Sequence, residues 1–255
     1  AKPRRRRRWW LRILIAAVAL GVLAGAAEIV LRIITPGIVA EQVRLNLNLS
    51  DDHPVDVELG GSALLHALVG RVGPIEVEVP NAPLPEGIVA TLGAEARSMP
   101  FDPTTGEIEG GRVAILIPAE SVGTVVSLAT QGMADTGEVR NGEITVGRTL
   151  PLFGATVTLA VTLELSVQDG DLWVEPTEIN AAGFDLSVEQ IRTVTGDSLD
   201  GMLQAHELCV RDRLPVGVTL TDLRLSSTGS VTIAADLSTG VLSDPRQQAL
   251  GSCDG

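Results

Sequence analysis

Apolar and polar positions recur along this chain with two periods, one close to 3.6 residues and one of 2, and the switches between them outline the elements. Thr35-Pro36 reads as an N-cap followed by proline at the first helical position, and Ile38, Val39, Val43 and Leu47 supply the stripe of a short helix. "PVDVELGG" then alternates Val55, Val57 and Leu59 against Asp56 and Glu58, the pattern of a half-buried strand. In "SALLHALVG" the residues Leu64, Leu65, Leu68 and Val69 share one helical face, with Gly70 as a stop. "IEVEVP" returns to alternation, Ile75, Val77 and Val79 inward and Glu76 and Glu78 outward.

Further strands are expected in "GIVATLGAEARSM" and "EIEGGRVAILIP", and an amphipathic helix in "PAESVGTVVSLATQGM" from near Pro118. Asn141-Gly142 in "VRNGEITV" signals a hairpin with a type I′ turn. The clearest alternation is "ATVTLAVTLELSV", in which every odd position from Ala155 to Val167 is apolar. Its 13 residues would extend about 43 Å, well beyond an average strand. Such a strand suits a large curved antiparallel sheet around something apolar, or an ordinary long strand over a helix. "DLWVEPTEI" pairs with it through the turn Gln168-Asp169-Gly170-Asp171. Ser187-Val188-Glu189-Gln190 fits a capping box opening a helix through Ile191 and Val194, and another helical piece is expected from Leu199 to Val210. "VTLTDLRLSS" and "SVTIAADLS" close as a hairpin about Thr228-Gly229. With no domain-like linker in the series, the pattern predicts an α+β domain, its helices against one face of a mostly antiparallel sheet.

The first residues change that picture. From Ile13 to Ala27 runs an uncharged stretch of 15 residues, preceded by "RRRRRWW" and Arg12 and followed by Glu28. That length suits a signal-peptide hydrophobic region, and including Trp9 to Leu11 brings it to a bilayer span. Arginines before an apolar run place the basic end in the cytoplasm, and tryptophans favour the interface. Ala24-Gly25-Ala26 offers a signal-peptidase site, but Ile29, Val30, Leu31, Ile33 and Ile34 resume the apolar pattern, with Glu28 and Arg32 spaced as a helical pair. The expected organisation is therefore a basic foot and transmembrane anchor over 1–34, uncleaved rather than cleaved, and an extracytoplasmic body over 35–255.

Charge agrees with that division. From Glu28 onward there are 12 basic and 32 acidic residues, a net −20. Nucleic-acid binding needs a basic face, so no nucleic-acid partner is expected. Aromatics make up 2% of the chain and tyrosine is absent, so Val, Leu, Ile and Ala must fill the interior. Coding bias explains this most plainly; selection for an aliphatic lining is the other explanation. Outside the cytoplasm the only two cysteines, Cys209 and Cys253, can pair.

Candidate chemistry is sparse. "HELCV", at His206, lacks the second histidine of a zinc-protease helix; His66 falls on a polar helix face and His53 in a turn. No nucleophile elbow or phosphate-cradling glycine loop occurs, and most acidic residues sit on the polar phase of strands. No catalytic residue, metal site or cofactor is expected, and an enzyme is unsupported. Long amphipathic strands over an aliphatic interior suit the binding of acyl chains, worth about 0.8 kcal/mol per CH₂ buried. The candidate lining comprises Leu64, Leu65, Leu68, Ile75, Val77, Val79, Val113, Ile115, Ile117, Val157, Leu159, Val161, Leu163 and Leu165.

Three stretches carry a family resemblance: "PVDVELGGSALLHALVGRVGPIEVEV", "LCVRDRLPVGVTLTDLRL" with Cys209 ahead of Leu214-Pro215 and Gly217, and "LSDPRQQALGSC". In this order the chain resembles the LmeA-like phospholipid-binding proteins of actinobacteria. The resemblance implies a tubular lipid-binding-like fold, a long curved antiparallel sheet wrapped around amphipathic helices. It also implies binding of anionic phospholipids such as phosphatidylinositol or cardiolipin, and a part in cell-envelope maintenance, including lipoglycan elongation. Where that family often carries an aromatic after the first strand, this chain has "GSALL", a difference that bears on the shape of a cavity. Three readings follow: an envelope lipid carrier, transfer protein or sensor; an accessory subunit docked on a membrane-bound envelope complex; and, more weakly, an envelope hydrolase.

Overall fold

A computed structural model describes residues 5–102, 104–152, 155–181, 184–190 and 204–253. Helix α1 (Arg5–Leu47) runs for 43 residues and contains Pro36. The separate helix expected to begin at Thr35 is thus a continuation of the N-terminal apolar helix. Proline removes one backbone N–H, which costs the helix its bond to the Arg32 carbonyl. Packing compensates for it: Ala27, Leu31, Thr35, Val39, Ala40 and Val43 are buried or half-buried at helical spacing, one docked face along the body. Residues 14–23 carry no such face. Among the described residues α1 is the one helix long and apolar enough to cross a membrane, with a mean hydropathy of 2.4 in its most apolar window.

The fold is α+β and its strand pairings are antiparallel, as expected. The sheet surface, however, is divided. One sheet has the order β1-β3-β4-β6-β14-β13, formed by Asp56–Leu59, Ile75–Pro83, Val89–Ala96, Gly111–Ile117, Val231–Leu237 and Val218–Leu225 respectively. The second is a meander, β11-β10-β9-β8-β7, of Phe184–Ser187, Asp171–Ala181, Ala155–Gln168, Glu143–Leu152 and Thr136–Arg140, with β12 (His206–Leu208) also on β10. β2 (Arg71–Val72) and β5 (Met99–Pro100) make a small separate pair. Register shifts at Val79/Ala82, Pro176/Glu178 and Leu220/Asp222 bend β3, β10 and β13, because a bulge adds local twist.

Local sequence accounts for most of these elements. Asn141 and Gly142 have φ of 54° and 86°, and Asp169 and Gly170 have 53° and 86°, the left-handed pairs of type I′ turns. Ser187 and Gln190 exchange the two bonds of a capping box: the Ser187 amide donates to Oε1 of Gln190 at 2.9 Å, and the Gln190 amide to Oγ of Ser187 at 3.2 Å. The helix expected onward through Ile191 and Val194 lies outside the described residues. The helix expected over Leu199–Val210 is corrected: 199–203 lie outside the described residues, and His206–Leu208 is a strand paired with Leu172–Val174. That strand finds backbone partners along β10, which local helical spacing cannot reveal.

Two joints tie these parts together. Cys209 and Cys253 form a disulfide with their Cα atoms 5.9 Å apart. Next to it Asp171 is buried, and its carboxylate accepts from the Val210 amide at 3.3 Å and pairs with Arg211 Nη2 at 3.0 Å. The second joint is Glu28, just past the apolar run of α1. Its carboxylate accepts from Arg32 Nε at 2.7 Å, Ser62 Oγ at 2.8 Å, and the amides of Ala63 at 2.9 Å and Leu64 at 2.8 Å. It thereby caps α2 (Ala63–Leu68) from another helix, and Arg32 reaches the Gly61 carbonyl beside it.

Glu28→Gln is expected to accelerate hydrogen exchange at the Ala63 and Leu64 amides, because a neutral amide oxygen accepts more weakly than a carboxylate. The disulfide closes a separation of 44 residues, which in the chain-entropy model stabilises by about 4 kcal/mol. Denaturant unfolding of Cys209→Ser is expected to show a loss of about that size.

Candidate functional site

The two sheets meet through α3 (Ala119–Ala129), and local contacts set its place. At its first turn Ser121 is buried, its hydroxyl donating to the Val89 carbonyl at 3.0 Å and accepting from the Val89 amide at 3.3 Å, which fastens the helix to β4. Further along, Val126 lies over Gly137 of β7, where an added Cβ would come within 2.5 Å of a valine methyl. Only glycine permits that approach. Val122 and Val126 thus enter the buried cluster of Ile117, Ala134, Val139, Ile144 and Val231, drawn from both sheets.

This cluster does not fill the space between the sheets. A cavity of about 290 Å³ opens beside it. Its walls are Val122, Val125, Val126, Ala129 and Thr130 of the α3 segment, Ile144 and Val146 of β8, Leu163 and Leu165 of β9, and Leu172 and Val174 of β10 with Leu208. From the first sheet come Ile117, Leu223, Leu225, Val231 and Ile233. Among the described residues no charged one lines it. The one hydroxyl among these walls, Thr130 Oγ1, is already engaged, donating to the Val126 carbonyl at 2.8 Å and accepting from the Ala134 amide at 3.1 Å. An occupant would therefore be held by burial of apolar surface.

The candidate lining residues separate accordingly. Ile117, Leu163 and Leu165 line the cavity. Val77 and Val113 are linked through Ala94 in register, and Val79 and Ile115 through Leu92; Ile115 then pairs with the cavity-lining Ile233, so these four share one apolar sheet face. They are not among its walls. Val79 is buried as core, and Ile75, also buried, borders a polar cleft of about 330 Å³ with Glu58, Glu76, Glu95 and Arg97. Val161 is half-buried outside the cavity and Leu159 is exposed. The cause is length: β9 has 14 residues and the strands of the opposite hairpin eight and seven. Val157 belongs to β9, its side chain outside the described set. Leu64 is half-buried, whereas Leu65 and Leu68 are exposed on α2 and line nothing.

The contributions missed from sequence are those of α3, β8, β10, β13 and β14. The signal was present in the same alternation, Ile144 and Val146, Leu172 and Val174, Leu223 and Leu225. What sequence could not supply was which sheet faces each strand.

Polar chemistry lies elsewhere. Even-numbered threonines of β9 face away from the apolar set, Thr162 meeting Thr145 at 3.1 Å and Thr158 meeting Thr149 at 3.4 Å. On the first sheet Glu58, Glu76, Glu95, Arg112 and Asp236 follow one another in register. Arg112 bridges Asp236 and Glu95, whose bonds and charges raise its pKa further. His53 Nε2 bonds the Pro80 carbonyl at 2.9 Å, His66 Nδ1 the Ser62 carbonyl at 2.8 Å, and His206 is exposed on β12. Among the described residues no group of three or more metal-ligating side chains converges.

A family model of LmeA-like phospholipid-binding matches residues 26–236. No curated protein and no solved structure matches the chain.

A lining that faces an unfilled cavity and a lining that packs a core respond differently to truncation. Ile108→Ala, at a buried position outside the cavity, is expected to cost about 2–5 kcal/mol, and Leu163→Ala less than about 2 kcal/mol, because part of its surface already lacks packing partners. Urea unfolding of the lipid-free protein measures both, and equal losses would mean that the space is closed.

Proposed function

Because the chain belongs to the LmeA-like phospholipid-binding family, we propose that it is a non-catalytic lipid-binding protein of the cell envelope, carrying, transferring or sensing phospholipid. The observation that supports this reading is the cavity between the sheets, lined among the described residues by aliphatic side chains and one threonine whose hydroxyl is already bonded. At about 290 Å³ it lies at the lower end of the about 300–1,000 Å³ typical of small-molecule pockets. It takes a segment of an acyl chain, each buried CH₂ contributing about 0.8 kcal/mol, and leaves a headgroup outside.

The leader and the cysteines support an envelope location. α1 anchors the protein with "RRRRR" on the cytoplasmic side, and the acidic body with its disulfide stands on the other face of the membrane. Anionic phospholipids such as phosphatidylinositol or cardiolipin are the proposed ligands, with support of envelope lipid and lipoglycan maintenance as the role. A net −20 on the body gives an anionic headgroup no general attraction, so affinity must come from the chain-binding slot.

Native mass spectrometry of the full chain released from its membrane in mild detergent tests this reading. Bound mass of a diacyl phospholipid is the expected result. Ala129→Trp, at the exposed edge of the slot, should lower lipid affinity by about tenfold, or about 1.4 kcal/mol, with the unfolding midpoint unchanged. A protein that is empty as isolated and takes up no phospholipid from vesicles would overturn the proposal.

A further inference from the structure

The exposed apolar surface at the foot of the body has no role in the slot. On α2 and just after it Leu65, Leu68 and Val69 are 65%, 74% and 69% exposed, and Phe101 is 60% exposed. These residues are neighbours: the Phe101 amide donates to the carbonyl of Gly70, at the end of α2, at 3.2 Å. Phe101 also borders a small pocket with Leu31 and Thr35 of α1 and with Ala63, His66 and Ala67 of α2. Clustered large apolar side chains at the surface of a body this acidic mark a contact surface rather than chance exposure.

The anchor fixes what that contact is. From Arg8 to Glu28 the helix rises about 30 Å, the thickness of a hydrocarbon core. Glu28 therefore stands at the far boundary of the bilayer, and its carboxylate is bonded to Ser62, Ala63 and Leu64. α2 cannot lie more than a few ångströms from that level. The headgroup layer beyond the core is about 5–7 Å deep, so α2 and Phe101 emerge within it or just above it. Glu28 suits this depth because all four of its donors come from the protein, which removes the cost of an unpaired charge near lipid. Ile29 and Ile33, on the face of α1 turned away from the body, are exposed about 1.5 and about 7.5 Å beyond Glu28 along the helix and continue the apolar surface.

We propose that the exposed face of α2, with Phe101, Ile29 and Ile33, is a second membrane contact that seats the body on the outer leaflet. This rests on the reading that α1 spans the membrane. Insertion here is apolar in origin, since the body repels anionic lipid; zwitterionic lipid suffices, and added salt leaves the contact in place. The contact holds the protein in a fixed attitude instead of swinging on its tether.

The disulfide-intact full chain in phosphatidylcholine vesicles provides the test, with a single fluorophore on Leu68→Cys, Phe101→Cys, Leu20→Cys or Glu138→Cys and nitroxide quenchers at shallow or deep acyl positions. The Leu68 and Phe101 labels are expected to be quenched several-fold more by the shallow lipid than the Glu138 label on the second sheet, and the Leu20 label most by the deep one. Quenching at Leu20 without quenching at Leu68 and Phe101 overturns this proposal and leaves the anchor intact. No quenching at Leu20 removes the anchor reading and this proposal with it. Self-quenching of the Leu68 label that grows with protein density, without lipid quenching, assigns the surface to a second copy and also overturns it. With Leu65→Glu and Val69→Glu, the Phe101 label should lose its quenching while the Leu20 label keeps it.

Discussion

Everything in this body depends on the mutual burial of two aliphatic sheet faces with almost no aromatic side chains to fill the distance between them. Sheets pack face to face at about 10 Å, and large rings are the usual means of filling irregular space at that separation. Here valine, leucine and isoleucine from both sheets close one part of the interface around Val122 and Val126. Beside that part they leave a slot whose described walls are aliphatic but for Thr130. The composition that makes the core dry and the slot selective for apolar ligands is one and the same.

Much of the fold was legible in the residues, and the legible parts are those decided by local chemistry. Asn141-Gly142 and Asp169-Gly170 announce their turns because left-handed backbone favours these residues. Ser187 and Gln190 announce a cap, and the thirteen alternating residues of β9 announce a strand. Where the reading failed, a distant partner had decided. Thr35-Pro36 looks like a helix start, yet the docked face around Val39 and Ala40 carries the helix through it. The segment at His206 has no strand signal of its own and is a strand because β10 offers an edge. The same limit explains the site: alternation identified the apolar phase of β3, β6 and β9, but only the opposition of the sheets selects Ile117, Leu163 and Leu165 from it. Leu65 and Leu68 share the helical pattern of a lining but are exposed, because one helical turn has the same spacing whether it faces a core or the surface.

Glu28 and Arg32 illustrate a second kind of hidden information. Their spacing is that of an ordinary intrahelical pair, worth a few tenths of a kcal/mol. In the folded chain the same two side chains also bond Ser62, Ala63, Leu64 and Gly61, so the pair becomes the mechanical link between α1 and the body. Asp171 is comparable: as a turn residue it is unremarkable in sequence, but buried against Arg211 it couples the β9–β10 turn to the cysteine loop.

The strand order of the first sheet also sets a schedule. β6 pairs with β14, Gly111 opposite Leu237, so its edge stays unpaired until Val231–Leu237 has been made. The second sheet is a meander of sequential hairpins and can assemble as it is synthesised. A nascent body therefore carries an open strand edge and one wall of its slot for most of its emergence, the condition in which unpaired edges find wrong partners. The β13–β14 hairpin is the latch, and a chain truncated before Val231 would keep α1 and its second sheet while leaving the first unfinished.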